Sequence, residues 1–399
     1  MSPEDGAAST VRTANAASGS HLKEISLTFL RLGTIAFGGP AAHIAMMEDE
    51  FVRRRRWVSR ADFLDMLGAS NLIPGPSSTE MAIHIGHQRG GWKGLIAAGV
   101  SFILPAMLIV MACAWAYVAF GAVPRIQHAL YGIKPVVIAI VLQALGRLAR
   151  VAVKGRFLAV VALLATVAVL IGGNVLVILL IAGLGTMLPA WSKPRPAAYA
   201  NVAPLLTVKW WLAPTAAMAG AVPIALVGLF IVFLKFGAVI FGSGYVLLAF
   251  LQADLVIRLH WLTQAQLLDA VAVGQVTPGP VFPTATFIGY LLGGVPGALV
   301  ATLGIFLPGF FLVAASRPLI PRIRGSKIAG AFLDGVNVGA VGLMIAVTWQ
   351  LGRAAVVDSL SASIAAVSAL LLIYFQINSV WLIFVGGSIG LIARRRLGG

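Results

Sequence analysis

Charge is what this sequence has least of. Only 11% of its 399 residues are charged and 13 are acidic, while 59% are hydrophobic; soluble globular proteins carry about 25% charge. That scarcity excludes a water-soluble globular chain. Long apolar runs recur from Ile25 to the C-terminus and the mean hydropathy is +0.96, the pattern of a chain that crosses the lipid bilayer many times. Cysteine is almost absent. Cys113 stands alone in an apolar run, which excludes an intramolecular disulfide and a cysteine metal cluster. The shortage of acids leaves a formal charge of +16. In a soluble chain that excess would suggest nucleic acid. Here the basic residues fall in short loops, as the positive-inside bias requires, so orientation accounts for them and no nucleic-acid partner is expected. Part of the excess can also attract an anion. No Walker loop, nucleophile elbow or HExxH is found, so ATP-driven transport and these hydrolytic chemistries have no support within the chain. Residues 1–22 are small and polar with no apolar h-region, and read as a disordered tail rather than a signal peptide.

What is present is a duplication. Phe37-Gly38 recurs at Phe241-Gly242, a shift of 204 positions, and the same shift maps Arg31 to Lys235, Trp57 to Trp261, Asp65 to Asp269 and Pro74-Gly75-Pro76 to Pro278-Gly279-Pro280. Twelve of the forty positions from Phe37 to Pro76 are identical across that shift. Apolar composition alone would not keep Trp, Asp and a PGP in one register. After one deletion the shift becomes 203 and pairs Gly90-Gly91 with Gly293-Gly294, Pro105 with Pro308 and Gly132 with Gly335. The expected organisation is a first repeat over 23–190, a linker at 191–214 and a second repeat over 215–399.

Apolar length predicts an all-α polytopic membrane protein with five spanning helices per repeat. These fall at 25–46, 94–120, 128–152, 157–172 and 175–190, then 219–250, 297–316, 328–351, 355–373 and 378–393. Between the first two spans of each repeat lies a PGP segment flanked by short helices, 61–73 with 79–89 and 263–276 with 282–292. A re-entrant hairpin there places Arg53–Arg56, Arg60, Arg89, Lys93, Arg147, Arg150, Lys154, Arg156, Lys193, Arg195, Lys209, Arg317, Arg322, Arg324 and Lys327 on one side, the cytoplasm. Five is odd, so the repeats are expected to be inverted. Lys23 and Arg394–Arg396 fall on the other side and count against this arrangement.

Inverted repeats with paired broken helices are the signature of secondary transporters. A broken helix frees backbone groups that must be satisfied by protein, water or cargo, and a half-helix N-terminus favours an anion. The candidate breaks are Gly38, Gly39 and Pro40; Pro74, Gly75 and Pro76; Gly242, Ser243 and Gly244; and Pro278, Gly279 and Pro280. Ser77, Ser78 and Thr79 follow the first PGP, Thr277 and Thr284 flank the second, and Asn71 and Gln275 precede the two loops by three residues. A structural role competes for these: Ser77 and Glu80 have capping-box spacing. Arg31 and Lys235 are a matched pair of cations suited to an anion clamp, with snorkelling to an interface as the alternative. Lys134 lines the pathway or reaches an interface. Glu80 and His84 are spaced i, i+4 and can titrate, which makes them candidates for proton coupling. A metal site there lacks a third ligand, so neither metal nor cofactor is expected. Asp65 and Asp269 are expected to hold each hairpin against Arg53–Arg56 or Arg258.

Phe37–Val52, Phe63–Gly94, Phe241–Val256, Trp261–Gly294 and Gly304–Phe310 together resemble the chromate ion transporters, in their long form with two homologous halves. The resemblance implies export of chromate across the inner (plasma) membrane and chromate resistance, with sulfate, a tetrahedral dianion of similar shape, as an alternative cargo. It implies asparagine where Ser77 stands; serine keeps a hydrogen-bonding group on a shorter arm. A carrier driven by the proton or electrical gradient is the expectation. A general oxyanion carrier, a passive anion channel and a membrane-embedded chromate reductase are the rivals. The lone cysteine and the absence of a flavin or nicotinamide fingerprint count against the reductase. The sequence carries no indication of oligomeric state.

Overall fold

Lipid offers the backbone no hydrogen-bond partner, so a chain this apolar must satisfy its amides within helices. The computed structural model describes residues 21–37, 39–71, 73–121, 123–191, 226–241, 244–280, 282–316 and 327–397, and no strand occurs among them. The expected tail, apart from residues 21 and 22, and the linker beyond Trp191 lie outside the described residues. So do Gly38, Gly242, Ser243, Lys193, Arg195, Lys209, Arg317, Arg322 and Arg324, together with the side chains of Lys327 and Arg394–Arg396.

The first half comprises α1 (21–35), α2 (Pro40–Met47, continuing as a π-helix over Glu48–Arg54), α3 (Arg60–Ser70), α4 (Ser77–Phe120), α5 (Pro124–Ala152), α6 (Arg156–Leu170) and α7 (Val175–Trp191). The second repeats the order: α8 (Leu226–Val239), α9 (Leu247–Phe250, continuing as a π-helix over Leu251–Arg258), α10 (Gln264–Val276), α11 (Thr284–Ser316), α12 (Lys327–Ala355), α13 (Ser359–Ile373) and α14 (Ser379–Leu397). The local signals repeat as well. Ser59 caps α3 by accepting the Asp62 amide, and Thr263, at the matching position, caps α10 by accepting the Gln266 amide. Arg56 and His260 also match, and both have positive φ, 51° and 52°.

Among the described residues, four helices are long and apolar enough to span: α4, α5, α11 and α12. The expected first span is interrupted, with helix to residue 35 and again from Pro40. The expected spans at 157–172 and 355–373 are helices of 15 residues, about 22 Å at about 1.5 Å per residue. The expected short helix at 79–89 starts at Ser77 and joins α4 through a kink at Gly90-Gly91. Gly91 (φ 58°, ψ −148°) and Gly294 (φ 61°, ψ −151°) share one conformation, open to glycine and costly for other residues. The chain folds back there. A Cβ on Gly86 would overlap Ala98, a residue about 18 Å away were the helix continuous. The same overlap joins Gly289 to Gly297, with Ala301 at 2.7 Å.

The two repeats interlock. α5 packs on α13 and α14, and α12 packs on α6 and α7. Small residues allow the approach: a Cβ on Gly132 would overlap the Gly386 carbonyl, and one on Gly335 the Ala182 carbonyl. The matching helices α5 and α12 lie antiparallel. Lys154, just past the end of α5, meets Asp334 near the start of α12 at 2.8 Å, and Tyr131 near the start of α5 donates to Asp358 just past α12 at 2.6 Å. Leu163 and Leu164 on α6 stay more than 60% exposed, as suits a lipid-facing surface.

Candidate functional site

The site forms where the breaks cross. The Gly75 amide donates to the Ile240 carbonyl at 2.7 Å, and the Gly279 amide to the Ala36 carbonyl at 2.8 Å. Gly75 matches Gly279, and Ala36 matches Ile240, under the same shift of 204. Each PGP loop therefore docks on the interrupted first helix of the other repeat. Both glycines have positive φ, 138° and 91°. A side chain at Gly75 would run into the Glu80 carboxylate, and one at Gly279 would stand 2.8 Å from the Ala106 Cβ. A third break faces the same region: a Cβ on Gly39 would lie 3.9 Å from the Tyr245 hydroxyl, which donates to Gln275 Oε1 at 3.2 Å. Pro40 opens α2, and Pro74, Pro76, Pro278 and Pro280 are buried. Gly244 begins a 3-10 turn before α9.

The polar groups after the two loops differ in how they are satisfied. Ser77, Ser78, Thr79 and Glu80 open α4 and are all buried. The capping box read from their spacing does not form: Pro76 is the N-cap, with no side-chain cap, and its carbonyl takes the amides of Thr79 and Glu80 at 2.7 and 3.1 Å. Proline cannot occupy the first helical turn as a donor, and ending the loop on Pro76 moves Ser77 one position into the helix. Ser78 Oγ, Thr79 Oγ1, both Glu80 carboxyl oxygens and, one turn on, His84 Nε2 have no hydrogen-bond partner among the described residues. Thr284 is buried at the start of α11; Thr286 and Thr302 satisfy each other at 2.7 Å, and Thr302 also donates to the Ala298 carbonyl. Thr277 closes α10 with its hydroxyl 3.5 Å from the Gly274 carbonyl. Asn71 is exposed at the end of α3, whereas its counterpart Gln275 is half-buried, with Nε2 unpartnered.

The cations lie elsewhere. Lys235 pairs with Asp254, which also takes Arg258 at 3.2 Å. Arg31 is exposed and shares a cavity with Asp49, Glu50 and Arg54. Glu50 matches Asp254, so each first-helix cation has a carboxylate of its own repeat nearby. Arg31 and Lys235 thus each lie near carboxylates of their own repeat, and a charge within the membrane costs less beside a counter-charge than bare. Lys134 meets Asp269 at 3.1 Å across the repeats, and Tyr117 donates to the same carboxylate at 3.0 Å. Asp269 thus holds α5 rather than Arg258, while its counterpart Asp65 is exposed on α3. Glu50 accepts from Arg54 at 2.9 Å and Arg55 at 2.6 Å, and the bond from Arg55 holds its carboxyl below the usual range.

His43 was not among the candidates. Its Nε2 lies 3.1 Å from the Ala36 carbonyl that also receives Gly279, its ring packs edge-on to Phe102, and its Nδ1 has no partner. The facing carbonyl assigns the proton to Nε2. The signal that could have found it is a break in the repeat, since Leu247 occupies the matching position.

Interrupted helices meeting inside a duplicated, polytopic helical chain define a membrane transporter. The profile described as "Chromate transporter" matches residues 23–187 and again 227–391. The chain belongs to the chromate transporter family. It is 34% identical to the "Chromate transport protein" of Cupriavidus metallidurans over 98% of this chain and 97% of that one. It is 33% identical to the "Probable chromate transport protein" of Synechococcus elongatus over 84% of this chain and 86% of that one. A third relative, the "Chromate transport protein" of Pseudomonas aeruginosa, is 34% identical over 82% of this chain and 80% of its own. No solved structure matches the chain.

Proposed function

We propose that this protein is a secondary transporter that exports chromate across the inner membrane by alternating access and so confers resistance. The observation that carries the reading is the pair of reciprocal bonds, Gly75 to Ile240 and Gly279 to Ala36, beside a half-helix whose first turn holds unpartnered Ser78, Thr79 and Glu80. The amides of Ser77 and Ser78 and the hydroxyls of Ser77, Ser78 and Thr79 would take the dianion, with Gln275, Thr277 and Thr284 closing the second side. Glu80 and His84 are one turn apart and are the candidates for carrying a proton. Glu80 packs between the Gly75 loop and Gly309 of α11, whose Cβ would lie 4.0 Å from its Cγ. Ion access from either side would break a different half of the crossing.

The antiparallel course of the matching helices α5 and α12 supports inverted repeats with re-entrant hairpins, the first dipping from the cytoplasm. Five crossings per repeat follow if the short apolar helices tilt little and the bilayer thins to meet them. An inside-negative potential then favours export, by about 2.3 kcal/mol per elementary charge per 100 mV, or about 4.6 kcal/mol for a dianion. Coupling to protons would alter that sum. Everted vesicles should take up labelled chromate when energised; uptake indifferent to ionophores would refute gradient coupling. The donors at the crossing read oxygen rather than chromium, which favours sulfate as a second cargo. Competition by sulfate, with the direction of flux in cells, separates the two.

A further inference from the structure

A cavity with several polar side chains lies away from the crossing, where the start of α10 meets the ends of α6 and α12. It encloses about 550 Å³ and is lined by Gln252, Gln264, Gln350, Arg353 and Trp349, among others. Gln252 is only 4% exposed, yet its Oε1 has no hydrogen-bond partner, and neither has Gln350 Oε1. A buried amide group left unpaired is destabilising, and a glutamine amide can turn to offer either its oxygen or its two N–H groups. Gln264 Nε2 donates to the Gln350 carbonyl at 2.8 Å, which ties α10 to α12 and holds the cavity's shape.

The charge of the lining decides what it can take. Arg353 is the only ionisable side chain lining this cavity among the described residues. Another cavity, of about 330 Å³, is lined by Arg31 and Arg54 but also by Asp49 and Glu50, so its charges cancel. Gln252 and Gln264 occupy the positions of Glu48 and Arg60, which pair at 3.7 Å in the first half. Replacing both by amides removes the carboxylate that would repel an anion and leaves neutral donors beside one guanidinium. Trp349, 63% exposed, adds an indole N–H of the kind found at membrane interfaces.

We propose that this cavity is a peripheral site for a tetrahedral oxyanion group, separate from the crossing. Arg353 would supply the charge, and the amides of Gln252 and Gln350 the neutral hydrogen bonds. The group could be a free dianion or the phosphate of a phospholipid headgroup. The purified full chain in detergent distinguishes them. Sulfate titration should change the fluorescence of Trp349, a change absent in Trp349→Phe. Arg353→Gln should weaken the response at least tenfold, Arg353→Lys should retain part of it, and Ser78→Ala should leave it unchanged. If sulfate gives no response but native mass spectrometry finds phosphatidylglycerol retained by the parent and lost from Arg353→Gln, the site stands and the source is lipid. Arg353-independent behaviour toward both sulfate and phosphatidylglycerol would overturn the proposal. A sulfate response lost in Ser78→Ala but intact in Arg353→Gln would also overturn it, while leaving the crossing as the anion site.

Discussion

Replacing Gly279 with alanine adds one methyl group at the crossing, and its cost can be worked through. The residue has φ +91°, a conformation that costs an L-residue about 1–2 kcal/mol. The new Cβ would stand 2.8 Å from that of Ala106 and 3.4 Å from the Gly33 carbonyl oxygen, overpacking worth about 1–3 kcal/mol. If the loop shifts to relieve it, the bond to Ala36 weakens, for about 0.5–1.5 kcal/mol more. Together these come to about 2.5–6.5 kcal/mol, concentrated where the two repeats meet. Gly172 provides the comparison. Its φ is +87°, and a Cβ there meets nothing within 4 Å, so Gly172→Ala carries the backbone cost alone, in the turn between α6 and α7. Both variants should lower the melting temperature in detergent, Gly279→Ala by more. Chromate uptake by everted vesicles, normalised to folded protein, should fall at least tenfold in Gly279→Ala and stay near the parent in Gly172→Ala. Equal uptake by the two variants would show that the docking of the PGP loop does not matter to transport.

Other outcomes follow from the same geometry. Ser78→Ala removes an unpartnered buried hydroxyl, so it should leave thermal stability nearly unchanged while weakening oxyanion binding by about 1.5–3 kcal/mol, tenfold or more by equilibrium binding; unchanged affinity would remove Ser78 from the site. Lys235→Ala should act in the opposite sense, lowering the melting temperature by leaving buried Asp254 with Arg258 alone, with little loss of affinity per folded molecule. Lys134→Met and Asp269→Asn should each destabilise by about 3–5 kcal/mol, and the double variant by less than their sum; strict additivity in a thermal double-mutant cycle would show that the pair is not coupled. Glu50 gives a pH dependence. Its folded carboxyl is held below the ordinary 4.5 by Arg55, so its contribution is present in full above that value and is lost as pH falls through the lower folded one. Glu50→Gln should flatten that acid limb, and an unaltered melting profile below pH 5 would refute the assignment.

Much of the architecture was legible because it rests on short-range rules. Apolar run length requires helices, and Pro-Gly-Pro requires a break wherever it falls. The register of Trp57 with Trp261 and Asp65 with Asp269 reveals the duplication without any structure. Partner choice was not legible. Arg31 and Lys235 look like a clamp because they occupy matching positions, but matching Glu50 and Asp254 lie about 19 residues on and return to them through the break and the π-helix. Asp65 and Asp269 each lie six residues past an equivalent cap, and Asp269 meets Lys134, a position that the repeat matches with Asn337. The capping box failed for a local reason: a proline before Ser77 moves the helix start by one residue, enough to turn a cap into a first-turn side chain.

The amino-acid order by itself therefore determined a duplicated helical membrane chain and the places where its helices must break, since both follow from hydrophobic length and from backbones that proline and glycine alone permit. Only the tertiary structure decided that each PGP loop bonds to the other repeat, that the Ser78 hydroxyl after the first loop has no hydrogen-bond partner among the described residues while Thr286 and Thr302 beyond the second satisfy one another, and that His43 shares the Ala36 carbonyl. Those outcomes depend on contacts between residues some 160 to 240 positions apart, or on the few ångströms by which a helix start shifts. Neither distance leaves a periodic mark on the sequence.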